Sequence, residues 1–218
     1  MRGRPARCAA APPPALRGGR SLTAAPDIAV LDACVLFRGR LTDLLLHLAE
    51  AGLFEPAWSA EIHAEWMHSL HRRRGIPWER CLLRQALLQR AFPAASCVPD
   101  PACLAAIQAL CRTERQRRDA HVIAAAVAAE ARWIVTANIA DFPRPVLARH
   151  GLQALRPDAF CAWLATTHPA GMAAGLRAHR AGLGQVAEDS DAYLALLAGR
   201  KMSLPGMSRL LAAQRTRP

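Results

Sequence analysis

The spacing of apolar residues changes period several times along the chain, and each change marks an element. "DIAVLDACVL" holds a short β-branched run, residues 28–31, that stops at Asp32 and reads as a buried strand. "LTDLLLHLAEA", residues 41–51, has apolar positions at helical spacing and ends at Gly52, a helix stop. "LFEPAW" then predicts a short strand. Ser59 is an N-cap for the helix of "SAEIHAEWMHSLHRR", which sets Glu61, Glu65 and His68 along one side. Further helices are expected over 78–92 and 101–116, on either side of the proline-rich joint "FPAASCVPDP". In "RRDAHVIAAAVAAEARWIVTANIADFP" a helix runs from Asp119 to about Ala131 and a strand from Arg132 to Ala137. "GLQALRPDAFCAWLA" adds one more strand and helix.

This alternation predicts a parallel sheet with helices on both faces. After Thr166 the pattern changes to helical segments alone, "PAGMAAGLRAHRAGL", "SDAYLALLAG" and "LPGMSRLLAAQ". The expected organisation is an arm over 1–26, an α/β unit over 27–165 and a small helical extension over 166–218. The arm carries Arg2, Arg4, Arg7, Arg17 and Arg20, no acid, and the run Pro12-Pro13-Pro14, a composition that reads as flexible.

A chain of 218 residues that is 52% hydrophobic has ample material for a core. No apolar run approaches the roughly 18 residues of a bilayer span, and no hydrophobic segment with a cleavage site follows Met1. A soluble cytoplasmic protein with no membrane partner is the expectation. The net charge is +11, and every basic residue except Lys201 is arginine. Arginine suits phosphate because its planar fork bonds two oxygens, although arginine and alanine enrichment also follows genomic base composition. The seven cysteines form no Cys-x-x-Cys pair and are odd in number, which reads as thiols in a reducing compartment. His63, His68 and His71 have helical spacing, but nothing completes a zinc set.

The acids carry more information. In an open parallel sheet, residues at the carboxyl ends of strands converge however distant they are in sequence. Asp32 ends the first strand, Asp119 opens a helix, Asp141 follows the strand ending near Ala137, and Glu65 sits on the second helix. Each alone has a plainer reading. Asp119 is a helix cap, Asp32 and Asp141 are turn residues, and Glu65 is a surface residue with which Glu61, one turn earlier, competes. Together they would repel one another unless protonated or neutralised by a metal, and an oxygen-only set suits magnesium or manganese. The chemistry implied is phosphoryl transfer, in which such ions stabilise the attacking and leaving oxygens.

The same pieces, "VLDACVL", "SAEIHAEW", "RDAHVIAAA" and "IVTANIADFP", resemble in order and spacing the PIN-domain nucleases, especially the VapC-like toxins of type II toxin-antitoxin modules. The resemblance spans residues 27 to about 165, and the tail is similar to the helical extension of one subgroup. It implies a three-layer α/β/α sandwich with a central parallel sheet and a Mg2+- or Mn2+-dependent endoribonuclease. It also implies an RNA substrate, a cognate antitoxin that blocks the site, and a homodimer. Carried over by residue, it makes Asp32, Glu65, Asp119 and Asp141 the metal carboxylates, with Thr136 and Asn138 holding the metal shell. Cys34 departs from the family, which commonly has asparagine there, and is expected to loosen the first loop. Asn138 stands where some members have an acid, shifting charge onto Asp141.

Arginines cluster at 71–74, 78–90 and 111–119, the last running into Asp119. They offer salt-sensitive contact with RNA phosphates, or simply a solvated face or an antitoxin-binding groove. Trp66 and Trp78 are candidates for base stacking or for the core. A noncatalytic RNA-binding or partner-binding module is the competing reading. A phosphate-accepting receiver domain fits poorly, since the only lysine, Lys201, lies in the tail.

Overall fold

The computed structural model describes residues 26–183 and 189–215. The expected arm therefore lies outside the described residues, apart from Pro26. Four short parallel strands, β1 (Ile28–Leu31), β2 (Glu55–Ala57), β3 (Trp133–Val135) and β4 (Gln153–Leu155), form one sheet in the order β2-β1-β3-β4. Leu31 pairs with Val135 and Val135 with Leu155. β1 and β3 are entirely apolar and almost wholly buried, because helices cover both faces of the sheet. The expected α/β architecture with a central parallel sheet is the one observed.

α1 (Ala33–Leu36) and α2 (Gly39–Glu50) connect β1 to β2. The long crossover to β3 holds α3 (Ala60–Arg74), α4 (Trp78–Ala91), a 3-10 turn at Pro93–Ala95, α5 (Pro101–Leu110), α6 (Glu114–Arg118) and α7 (Ala120–Ala128). A 3-10 turn at Ile139–Asp141 and α8 (Arg144–Arg149) lead to β4. Then follow α9 (Pro157–Thr167), α10 (Pro169–Gly182), α11 (Ser190–Ala198) and α12 (Pro205–Arg215).

Local chemistry explains several boundaries. Ser59 accepts a hydrogen bond from the Ile62 amide and starts α3, and Gly75 ends it with φ 64°, a left-handed conformation that glycine adopts without strain. The single helix expected over 101–116 is two. α5 stops at Leu110, and Thr113 and Gln116 form a reciprocal capping box that starts α6.

The tail helices pack on the α/β unit, α10 against α2 and α9, and α12 against α9. The α10–α2 approach depends on Gly175, where a Cβ atom would lie 2.8 Å from Leu48 Cδ2. Asp158 of α9 accepts hydrogen bonds from the Gly206 and Met207 amides and so caps α12 from outside. At the α2–α10–α11 junction His179 is buried, with Nδ1 2.8 Å from the Tyr193 hydroxyl. Burial holds its pKa below the ordinary value, against the opposing pull of Asp43.

Candidate active site at the sheet switch point

From β1 the chain moves outward to β2 on one side, and from β3 it moves outward to β4 on the other. The crevice between the carboxyl ends of β1 and β3 is thus the topological switch point, where α/β sheets bind ligands. Asp32 follows β1 directly and Thr136 follows β3, each one step past the strand but still in the ladder. The Asp32 amide donates to Val135 O at 3.1 Å and the Thr136 amide to Leu155 O at 3.0 Å.

Asp32 is buried, and its Oδ2 accepts two donors: the Thr136 hydroxyl at 2.5 Å and the Cys34 thiol at 3.0 Å. Thr136 Oγ1 also accepts from the Asn138 amide at 3.0 Å. Cys34 Sγ accepts from the Ala137 amide at 3.2 Å. Cys34 therefore ties the two strand-end loops together, contrary to the expectation that it loosens the first. Burial, reinforced by the neighbouring Asp32 charge, pushes its pKa up to about 12, so it stays a neutral thiol donor.

Asp119 stands at the N-cap position of α7, yet its side chain makes no capping hydrogen bond there. Burial, followed by repulsion from Asp32, Asp141 and Glu65, raises its pKa from an ordinary 3.8 to about 6. Asp32, Asp141 and Glu65 are thus each near enough for their charge to act on Asp119. Glu65, not Glu61, is among the carboxylates whose charge reaches Asp119. Asp141 lies in the 3-10 turn after β3, and Asn138 is exposed at its start.

His121 escaped the sequence reading. Its Nε2 lies 3.1 Å from Glu65 Oε1, and its Nδ1 is buried with no partner among the described residues. Burial disfavours its charged form, but the hydrogen bond to Glu65 and the charges of Glu65, Asp119 and Asp32 outweigh this and raise its pKa. The available signal was that His121 is the lone polar residue in the otherwise apolar α7.

Beside the acids opens a cleft of ≈ 470 Å³, lined by Glu61, Glu65 and His121 with Gln108, Glu114, Arg117 and Arg118. Arg112, Arg115, Arg117 and Arg118 are exposed. Arg84 instead turns inward, donating to Leu36 O at 2.7 Å and lying 4.8 Å over the Trp66 ring. Trp66 is fully buried and Trp78 half-buried against His68, so Trp66 is core rather than a stacking platform.

The PIN domain family profile matches residues 28–140, over half of the chain and the stretch holding Asp32, Glu65, Asp119, Thr136 and Asn138. The chain belongs to the PIN domain family. No curated protein and no solved structure gives a significant match. Membership of the PIN domain family gives the chain a nuclease-type function, and PIN domains typically use divalent metal ions. The matched region ends one residue before Asp141, so the fourth acid rests on the geometry around Asp119.

Whether these residues suit a metal follows from their chemistry. Among the described residues no three His, Cys, Asp or Glu side chains are gathered tightly enough to hold an ion by themselves. Magnesium does not require such a cage, because it keeps several waters and takes only one or two carboxylates plus substrate phosphates. The PIN domain's all-oxygen acids, held close enough to oppose the ionisation of Asp119, suit a hard cation of this kind. No described helix is long and apolar enough to cross a membrane.

Proposed function

We propose that the chain is a Mg2+- or Mn2+-dependent endoribonuclease that acts as the toxin of a toxin-antitoxin pair. The observation that supports this reading is that Asp32, Asp141 and Glu65 each lie near enough to Asp119 to add, after burial, to the rise in its pKa. Asp32, Glu65, Asp119 and Asp141 would hold the ion, with Thr136 and Asn138 around it; when bound, it supplies charge stabilisation to the oxygens of a phosphodiester undergoing in-line displacement.

The chain's own residues have distinct tasks. Thr136 and Cys34 saturate Asp32 Oδ2 and so fix which carboxylate oxygen stays available. His121 orients Glu65 through Nε2. Arg117 and Arg118, in the cleft beside Asp119, meet RNA phosphates and make binding salt-sensitive, with a log–log slope of about −0.7 per neutralised phosphate on a single strand. In this role the protein works in the cytoplasm, and a cognate antitoxin covers the acid cleft.

A noncatalytic RNA-binding or partner-binding PIN module is the second reading, favoured by Cys34 and by the neutral Asn138 at positions where family members have asparagine and, in some, an acid. The experiment that separates them is cleavage of total cellular RNA by purified protein with magnesium or manganese, with chelator, and with Asp119→Asn in parallel. Discrete fragments that need both metal and Asp119 support the nuclease. Folded protein that binds RNA in a salt-sensitive way but cleaves nothing supports the binding module.

A further inference from the structure

The loop between α11 and α12 is fastened at both ends to chain that leaves the carboxyl edge of the sheet. At one end Arg38 Nη2 lies 3.2 Å from Arg200 O and from Lys201 O, and 2.9 Å from Ser203 Oγ. At the other, Asp158, just beyond β4, holds the Gly206 and Met207 amides. Arg38 follows α1, whose four residues begin directly after Asp32 and rise only about 6 Å. It therefore brings the extension to the end of the sheet where the acids stand.

Arg38 takes main-chain carbonyls of the loop, so the side chains of Arg200 and Lys201 are left exposed. Arg40 is exposed at the start of α2, and Arg74, from the end of α3, lies 5.7 Å over the Phe37 ring. Five cations from three separate stretches thus gather around residues 37–40. None of them forms an ion pair with an acid among the described residues. Residues 33–42, 66–78 and 199–215 contain no Asp or Glu, and Asp43 on α2 is turned to His47 and His179. Unscreened cations held together repel one another, and a polyanion relieves that repulsion. None of the five lines the cleft of Arg117 and Arg118, so this is a second basic surface.

We infer that the helical extension is part of the RNA-binding surface. Its α11–α12 loop, with Arg38, Arg40 and Arg74, grips the phosphate backbone of a single strand whose scissile bond lies at the acids. The inference rests on the nuclease reading above and gives the extension its task. An acidic protein would also answer the charge, but protein interfaces draw on exposed apolar anchors. Here the loop's own apolar residues, Met202 and Leu204, are buried, and Arg74 covers Phe37. Charge without apolar anchors, beginning one short helix from Asp32, suits a phosphate backbone better.

The test is binding of a fluorescein-labelled single-stranded RNA of about 20 nucleotides to the full chain in chelator. Anisotropy is followed from about 50 to 200 mM salt, and circular dichroism confirms that each variant is folded. Arg200→Gln/Lys201→Gln leaves the Arg38 bonds to the main chain in place and removes two phosphate contacts. Affinity should fall about tenfold and the log–log salt slope should shrink by about 1.4, equally for a U-rich and an A-rich strand. Arg117→Gln/Arg118→Gln should weaken binding independently. Arg149→Gln, exposed just before the amino end of β4, should bind as wild type does. If Arg200→Gln/Lys201→Gln binds like wild type while Arg117→Gln/Arg118→Gln is weakened, the inference is overturned and the nuclease reading stands; an acidic protein as the true occupant gives this result. A comparable loss per charge in Arg149→Gln also overturns it, since net charge alone would then be at work. Wild type that binds no RNA even at the lowest salt removes the RNA reading itself, and the inference with it.

Discussion

Neutralising Asp119 should stabilise the metal-free protein, and the gain should grow as pH rises. In the folded chain the Asp119 carboxyl has a pKa of about 6 against an ordinary 3.8, chiefly through burial and then through Asp32, Asp141 and Glu65. Below pH 3.8 it is protonated in both folded and unfolded states, and its contribution is nil. Between 3.8 and 6 the unfolded chain releases the proton while the folded chain keeps it, so stability falls with rising pH. Above 6 the full cost is present. A shift of about two units at 1.36 kcal/mol each gives ~3 kcal/mol as a ceiling, and solvent around this partly exposed group reduces it to roughly 1–2 kcal/mol. Because the side chain makes no capping hydrogen bond, Asp119→Asn loses none. The assay is thermal unfolding in chelator from pH 3.5 to 8, comparing wild type with Asp119→Asn. The variant should melt roughly 2–8 °C higher at pH 8 and about equally at pH 3.5. A variant less stable at every pH, or a gap that does not change with pH, would refute the reasoning.

Cys34→Ala removes a donor from Asp32 Oδ2 and leaves the Ala137 amide without its sulfur acceptor, so it should cost ~1 kcal/mol of stability and weaken manganese binding measured by calorimetry, while Cys34→Ser keeps both near wild type. Because the Cys34 pKa is pushed up to about 12, alkylation of this thiol at pH 8 should be far slower than that of a free cysteine, which mass mapping of modified peptides would show. Gly175→Leu forces atoms into the 2.8 Å gap to Leu48 and should cost on the order of 2 kcal/mol in denaturant unfolding; a neutral result would mean that α10 is not seated on α2 as described.

The elements with a clear period were legible. β1 is an apolar run ended by a carboxylate, α2 and α3 have their stop glycine and N-cap serine, and the tail, which reads as two or three helical segments, has three helices among the described residues. What was not legible was either too short or not local. α1 has four residues and α8 six, less than two turns each, so neither shows a helical period. The break before α6 was written in "TERQ" but masked by apolar positions that continued in phase through 110. His121 looked like an isolated polar residue because its partner, Glu65, sits on a different helix earlier in the chain. The role of Cys34 could not be read either, since the Asp32 and Ala137 atoms it joins meet only when β1 and β3 pair.

The aspartates at helix starts show why sequence could not separate an acid that caps its helix from one that does not. Asp100 and Asp189 stand at helix N-cap positions and accept hydrogen bonds from the helices they begin, as Ser59 and Thr113 do. Asp32 and Asp119 stand at the same kind of position, before α1 and α7, and neither caps. Asp32 turns its Oδ2 to a hydroxyl and a thiol from the strand-end loops, while Asp119 stays among other carboxylates that oppose its ionisation. A capping bond for Asp119 would have lowered its pKa and added of order 1 kcal/mol, so leaving it unmade is a local cost. Helix amides still favour negative charge at that place, which helps the fold tolerate the cluster. The distinction between Asp100 and Asp119 therefore lies not in residue type or helix position but in which charges the sheet brings alongside.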